Sequence, residues 1–339
     1  MKAAVWEGPN DLQIKNVPCP VPSENEVLIE TRAVGICGTD LEIFKGRFKH
    51  IVPPLIIGHE GGGTVQEIGR GVSRIKKGDR VIAECILYCG ACYYCRQGDF
   101  GLCDDSKVIG ISGAQGEYAE YFTVPEKNCY ILPEKISWPE ACLIDSLADT
   151  VHGFKKVNMP LYSTVAVFGP GPGGLFFCSL AKMRGASKVY LVGTREKRLR
   201  LGPRFGADLA ININKDNAAE IIKEDTGGRG VDVVIEASGS ERALKDGMSI
   251  LKKGGTLQIY GVFGAAVPVD LEMIQLYEFN VVGSAGSDYA TSIKLVDEGA
   301  VNVKDLVSHK FRLEDLPGAF SSGLIEKRED NYMKGVVLF

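Results

Sequence analysis

The sequence predicts an α/β chain in which a doubly wound parallel sheet is joined to a second, irregular β-rich unit. Its 339 residues exceed what one hydrophobic core usually organises, so two domains are expected. Residues 1 to about 150 alternate short β-branched runs with turn-rich segments. From about residue 160, apolar runs and amphipathic stretches alternate, which is the rhythm of strand and helix in a parallel sheet covered on both faces.

In the first half, EVLIETRAV, RVIAE and AEYFTV read as strands, and PCPVPSENE, VGICGTD and RQGDFG as turns. The second half reads STVAVFG as strand, GLFFCSLAKMRG as helix, KVYLVGT as strand and EKRLRLGPRFGA as helix. VDVVIEAS as strand, ERALKDGMSILKKG as helix and TLQIYGV as strand continue the series. After NVVGS the rhythm breaks. YATSIKLVDEG then reads as a helix and KGVVLF as a terminal strand able to rejoin the first unit. The expected boundaries are 1–150, 151–286 and 287–339, with a cysteine-rich lobe at 85–105.

Apolar residues make up 45% and charged residues 24%, the composition of an ordinary globular protein. A net charge of −4 offers no general basic surface for nucleic acid. The opening MKAAVWEGPNDL lacks a charged segment followed by an apolar run, and no stretch approaches about eighteen apolar residues, so a cytoplasmic chain without a membrane anchor is expected. In a reducing compartment the ten cysteines are expected as thiols or metal ligands. Cys19, Cys129 and Cys178 stand isolated and read as inert thiols.

FGPGPGGLF places Gly169, Gly171 and Gly174 in the spacing GxGxxG, between a strand and a helix. Alone, that motif says little; followed by further strand–helix units, it marks a dinucleotide site. Gly169 permits the tight turn, Gly171 lets backbone approach a pyrophosphate, and Gly174 allows close helix packing. Pro172 and Gly173 begin the helix whose N-terminus attracts phosphate charge. The bland alternative is a glycine-rich turn without a ligand. A free ribose 2′-hydroxyl would call for an acidic residue about twenty positions on. Gly193 stands there instead, followed by Thr194, Arg195, Lys197 and Arg198. Missing anion and added cations suit a 2′-phosphate, so NADP is expected over NAD. In the alternative, Arg195 and Lys197 are a solvated helix start and Glu196 takes the ribose hydroxyls.

Cys89, Cys92, Cys95 and Cys103 follow C-x2-C-x2-C-x7-C. Four such thiols can surround one tetrahedral ion with no vacancy for substrate, so a structural zinc is expected; an iron–sulfur cluster uses similar ligands. Cys85, nearby, has no assigned role. Cys37 in VGICGTD, His59 and Glu60 in IIGHEGGG, and Asp145 in CLIDSLAD are dispersed, and spacing does not connect them. A lone Cys or His is more often core than ligand. Together they would supply the mixed donors of a catalytic zinc with an open position.

The run GHEGGGTVQEIGRGV resembles the zinc signature of the medium-chain alcohol dehydrogenases. It follows CGTD and precedes the cysteine lobe and the glycine loop in that family's order, and the resemblance spans essentially the whole chain. It implies a GroES-like β-rich catalytic domain that includes the C-terminal segment, an inserted Rossmann domain and an active site in the cleft. It implies Cys37 and His59 as catalytic zinc ligands, Glu60 as a carboxylate able to approach the metal, and Asp145 at the remaining ligand position. Relatives resembling sorbitol and threonine dehydrogenases carry Glu-Pro where this chain has Asp145 and Ser146. NADP-dependent secondary-alcohol dehydrogenases carry an aspartate there and a Gly-Ser-Arg run like Gly193, Thr194 and Arg195, but lack the cysteine lobe. This chain combines features of both branches.

The resemblance further implies two zinc ions per chain, a homodimer or homotetramer, and hydride transfer between NADP, or alternatively NAD, and a small molecule. The expected substrate is a polyol, sugar derivative or other secondary alcohol or ketone; a simple secondary-alcohol or threonine-type dehydrogenase is the alternative. Zinc would lower the pKa of the substrate hydroxyl, with Thr39 as first proton acceptor, and the substrate carbon would deliver hydride to the nicotinamide. Several relatives carry a histidine three positions after the Thr39 hydroxyl; here Glu42 stands, so the proton is expected to leave through Glu42 or water. His50 is a lesser pocket candidate, and His152 and His309 have no assigned role. Three other classes compete. A zinc-free quinone or enone reductase would not need Cys37, His59 and Asp145 together. A nucleic-acid-binding zinc protein would need a basic aromatic face, of which Tyr93, Tyr94 and Arg96 offer only a trace. A catalytically idle homologue would bind cofactor without reducing it.

Overall fold

The computed structural model describes residues 1–323 and 332–339. The chain divides into two compact units, Met1–Ser146 with Tyr289–Phe339, and Leu147–Asp288. No helix among the described residues is long and apolar enough to cross a membrane.

Among the described residues, the second unit holds six parallel strands in the spatial order Leu209–Asn212, Lys188–Gly193, Thr164–Phe168, Val231–Glu236, Leu251–Ile259 and Asn280–Val282. Numbered along the unit this is 3-2-1-4-5-6, the doubly wound order of dinucleotide-binding sheets. The central strands are continuous apolar runs because both their faces are covered: Val165, Ala166 and Val167 are fully buried. Helix Pro172–Met183 covers them with Leu175, Phe176 and Phe177, and helix Glu241–Ile250 adds Leu244 and Met248 to a core shared with Phe168, Tyr190 and Leu257.

Two details depart from the sequence rhythm. The helix expected over EKRLRLGPRFGA is divided into Glu196–Leu199 and a 3-10 turn, Gly202–Phe205. Pro203 has no amide hydrogen and disfavours helical backbone at the residue before it, so the helix cannot run through. The strand Leu209–Asn212 and helix Ala218–Asp225 form a further unit that the apolar rhythm did not reveal. That strand is an edge of four residues and only partly buried, so its apolar signal is weak.

The first unit is organised by the strand Glu26–Ile36. It pairs with Glu60–Ile68, Tyr121–Pro125 and the C-terminal Lys334–Leu338, which itself lies parallel to Val307–Arg312. A register shift between Thr31 and Ala33 marks a bulge in this strand. Before it, Val27 and Ile29 pack with Val65, Val81 and Phe122; beyond it, Val34 and Ile36 pack with Leu41, Phe44, Tyr118 and Phe320. The cysteine-rich segment leaves this sheet as a lobe, with strands Ile86–Leu87 and Lys107–Ile109 at its base.

Asp232 ties two strands of the second unit together. Its Oδ2 accepts from the Thr164 amide at 2.7 Å and hydroxyl at 2.8 Å, and its other oxygen pairs with the Lys252 ammonium. Burial alone would raise this carboxyl, but Lys252 and Thr164 outweigh it and hold it below its ordinary value. A depressed carboxyl stabilises the fold above its unfolded pKa of about 3.9 and loses that contribution as pH falls through the folded value. Asp232→Asn is expected to cost about 1–2 kcal/mol at neutral pH in urea unfolding, most of it from the Thr164 bonds because solvent screens the exposed Lys252. The gap from the unaltered chain should close as the pH is lowered through the acid range.

Candidate active site

Two groups of metal-binding side chains converge among the described residues: Cys89, Cys92, Cys95 and Cys103, and Cys37, His59 and Glu60. Within each, one donor atom per residue lies within 4.8 Å of the others.

The cysteine group is built by local turns. Cys92 caps the helix Tyr93–Gln97, which carries Cys95, and Gly98 ends it in the left-handed conformation at φ 85°. The chain then turns back through Phe100–Leu102 to deliver Cys103. The Ala91 and Cys92 amides each donate to Cys89 Sγ at 3.3 Å, and the Cys89 amide donates to Cys103 Sγ at 3.2 Å. Those first two amides bring the Cys89 thiol down to about 7. Amides aimed at sulfur favour the thiolate, the form a metal takes. None of the ten cysteines is in a disulfide, and this four-sulfur set fits a closed tetrahedral ion. Tyr88 stacks on Phe100 at 4.1 Å and receives Lys127 over its ring at 4.2 Å, so these aromatic and basic groups of the lobe pack on one another.

The second group depends on Asp40. Cys37 caps the helix Gly38–Phe44, and Asp40 in its first turn accepts the Cys37 amide at 2.9 Å and the Tyr118 hydroxyl at 2.8 Å, both on Oδ2. Its Oδ1 faces His59 Nδ1 at 3.3 Å. That leaves Nε2 as the ring's remaining donor. A carboxylate behind a metal-binding imidazole fixes its tautomer and orientation and raises its basicity. Burial would raise the Asp40 carboxyl, yet His59, the Cys37 amide and the Tyr118 hydroxyl together outweigh it and hold the group below its ordinary value. Burial likewise opposes a charged His59, but Asp40 and Cys37 hold the ring proton well above the usual imidazole range.

Glu60 is seated by strand register. It lies opposite Gly35, where a Cβ would come within 2.4 Å of Glu60 Oε2, so only glycine leaves the carboxylate its room. The same oxygen pairs with the ammonium of Lys334, and both residues are buried. Burial would lower Lys334, but Glu60, with Cys37 and Tyr332, outweighs it and the lysine is held above its ordinary value. Thiolate, imidazole and carboxylate form a donor set that suits zinc, with three protein ligands and one position to spare.

Asp145 is not brought into that group. Its Oδ1 accepts from the Tyr289 hydroxyl and, at 3.8 Å, from the Cys85 thiol. Thr39 lies half-buried in the first turn of the helix that Cys37 caps. Glu42 pairs with Arg47 at 2.9 Å, and His50 is exposed. Asp40, Tyr118, Lys334 and Tyr289 were not read as site residues from the sequence. Asp40 had a usable signal, an acid three residues after a helix-capping position. Lys334 had none, because only the return of the terminal strand brings it to Glu60.

In the second unit, Gly169 leaves its strand at φ 113°, and a Cβ at Gly174 would lie 1.8 Å from the Gly169 carbonyl oxygen. Gly171 caps the helix, Pro172 and Gly173 open it, and nothing lies within 4 Å of where a Gly171 Cβ would stand. This is an N-terminus suited to phosphate. A Cβ at Gly193 would lie 2.4 Å from Pro170, so packing favours glycine there. The Thr194 carbonyl accepts from Asn214 at 3.2 Å, Arg195 caps the short helix Glu196–Leu199, and the Glu196 carboxylate is held by Asn212 at 2.8 Å and Lys215 at 2.9 Å.

Replacing Lys334→Met would leave Glu60 as a buried charge without its partner, a loss of about 3–5 kcal/mol. Thermal unfolding is expected to show that loss in chelator-treated protein and a smaller one after zinc is added, since a cation then compensates Glu60. Lys334→Arg should retain most of the stability.

The alcohol dehydrogenase GroES-like domain matches residues 23–134, and the zinc-binding dehydrogenase domain matches residues 172–299. D-arabitol-phosphate dehydrogenase of Enterococcus avium is 33% identical, covering 94% of this chain and 93% of its own length. Sorbitol dehydrogenase of Bacillus subtilis is 32% identical over 97% of this chain and 95% of its own. Among solved structures, a Sinorhizobium meliloti zinc-binding dehydrogenase bound to NADP superposes with a TM-score of 0.90 at 30% identity, over 100% and 99% of the two chains. An Escherichia coli alcohol dehydrogenase complexed with NADH gives 0.93 at 27% identity, over 100% and 99%. By sequence over nearly its full length and by fold, the chain belongs to the zinc-dependent medium-chain alcohol and polyol dehydrogenases.

Proposed function

We propose that the protein oxidises a secondary hydroxyl of a polyol or sugar derivative, and reduces the matching ketone, with NADP as its preferred cofactor. The observation that carries this reading is the convergence of Cys37, His59 and Glu60 with Asp40 behind the imidazole. Those three residues would hold the catalytic zinc, which supplies Lewis-acid polarisation of the substrate oxygen. The nicotinamide supplies hydride acceptance. Asp40 keeps His59 in the tautomer that presents Nε2, and Lys334 balances the negative charge of Glu60, which preserves attraction for an anionic oxygen. The Thr39 hydroxyl takes the proton from substrate and passes it to water. Glu42 is less suited to that exit because Arg47 holds it. The cysteine group would hold the second, structural zinc. Substrate chemistry falls to the unit Met1–Ser146 with Tyr289–Phe339, and cofactor binding to Leu147–Asp288.

NADP is supported by three features: no room for a carboxylate at Gly193, a Glu196 already engaged by Asn212 and Lys215, and Thr194 and Arg195 next in the chain. The relative complexed with NADH makes NAD the second reading. Relatives named for arabitol phosphate and sorbitol support a polyol over a simple alcohol. Cysteines free of disulfides fit a reducing, cytoplasmic setting. A homodimer or homotetramer is supported by exposed Val281 on the edge strand Asn280–Val282 and by exposed Leu271 and Leu276 on the helix that precedes it.

The test is kcat/KM of the zinc-loaded protein on polyols, polyol phosphates, sugar acids, amino-acid alcohols and simple secondary alcohols, with each cofactor in turn. Turnover is expected to concentrate on polyols, with NADP favoured by at least about tenfold, the worth of one charge-assisted contact to the 2′-phosphate. A strong NAD preference overturns the cofactor reading. Silence on every substrate, with zinc and cofactor both bound, favours the catalytically idle homologue.

A further inference from the structure

Three donors face the candidate metal position, and a fourth potential donor beside them, the Asp145 carboxylate, is engaged elsewhere. Asp145 stands in the first turn of the helix Ile144–Lys155 and is 5% exposed. Its chain neighbour Ser146 donates to Glu60 Oε1 at 3.4 Å, which sets this turn beside the Glu60 carboxylate, yet Asp145 Oδ1 carries the hydroxyl of Tyr289 and, more weakly, the thiol of Cys85. Tyr289 is itself clamped. It is 1% exposed, it opens the helix Tyr289–Asp297, and its ring stacks on Tyr130 at 5.1 Å and 15°. Tyr130 is tied in turn to the buried Glu84, whose Oε2 accepts its hydroxyl at 3.1 Å. The phenol that grips Asp145 is therefore stacked on a ring that is itself anchored.

The arrangement matters because of ligand number. A catalytic zinc takes three protein ligands and keeps a position for substrate, whereas four protein ligands close the shell. Cys37, His59 and Glu60 already supply three. A further carboxylate on the metal would occupy the place that substrate oxygen needs.

We propose that Tyr289 is a positioning residue that withholds Asp145 from the catalytic metal, so that the site keeps three protein ligands and one open position. The inference rests on reading Cys37, His59 and Glu60 as that metal's ligands. Cys85 cannot substitute for Tyr289, since a thiol at 3.8 Å is a weak donor. Losing the phenol hydroxyl frees Asp145 to become the fourth ligand, which gives tighter metal binding and a site closed to small molecules.

Tyr289→Phe removes the hydroxyl and keeps the ring on Tyr130. Cobalt-exchanged protein reports the outcome without turnover, through competition with a chelator and through the change in visible absorption when imidazole is added. The cobalt held by the four cysteines is common to every variant and cancels in the comparison. In Tyr289→Phe the labile cobalt is expected to be held at least about tenfold more tightly, and imidazole should no longer perturb its spectrum. Adding Asp145→Asn should reverse both effects. Asp145→Asn alone, which does not depend on the fold tolerating Tyr289→Phe, should leave metal affinity and the imidazole response near those of the unaltered protein. Unchanged affinity and imidazole response in Tyr289→Phe overturn the proposal. So do effects that persist in the double variant, and so does loss of the labile metal in Asp145→Asn. If the unaltered protein binds only one cobalt per chain, the metal site itself fails and the inference falls with it. Two cobalt ions per chain, with Tyr289→Phe indistinguishable, refute the inference alone.

Discussion

The pairing of Glu26–Ile36 with Glu60–Ile68 is the constraint on which the metal-binding group depends. Cys37 follows directly on the end of the first strand, and His59 stands directly before the second. The register that sets Gly35 opposite Glu60 therefore brings thiol, imidazole and carboxylate together. A slip of one residue would send every side chain on the strand to the other face of the sheet and scatter the group. The apolar cores on either side of the bulge at Thr31–Ala33, with Val27 and Ile29 in one and Val34 and Ile36 in the other, hold that register in place.

Buried charge imposes the next condition. Asp40, Glu60 and Asp145 lie together with little access to water, and each has a partner that no short stretch of sequence could supply. Tyr118 and His59 serve Asp40, Lys334 serves Glu60, and Tyr289 serves Asp145. A carboxylate left alone there would cost several kcal/mol. The terminal strand Lys334–Leu338 thus completes the sheet and delivers the cation that Glu60 requires. Folding of the first unit and assembly of its site are in this sense one event.

The doubly wound sheet was legible because its signals are local. Apolar runs such as STVAVF alternate with amphipathic stretches, and GPGPGG falls where strand turns into helix. What escaped was marginal in composition, as with the short edge strand Leu209–Asn212, or depended on a local breaker, as with Pro203. The cysteine lobe was also readable from spacing, since its four sulfurs are gathered by consecutive turns. The mixed group was not, because Cys37 and His59 meet only through strand pairing, and resemblance to a family was needed to connect them. Asp40, Lys334 and Tyr289 act on that group from behind. Asp40 carries a local signal, three residues after the capping Cys37, but for Lys334 and Tyr289 only tertiary structure shows what each one touches.

The most direct measurement is zinc content during graded chelation, followed together with the rate of cofactor reduction. Two zinc ions per chain are expected, one for each group of donors. The ion at Cys37, His59 and Glu60 should leave first and take all turnover with it. The ion among the four cysteines should leave only as the fold is lost. Full turnover in protein that retains zinc solely at the four cysteines would mean that Cys37, His59 and Glu60 do not hold the catalytic metal.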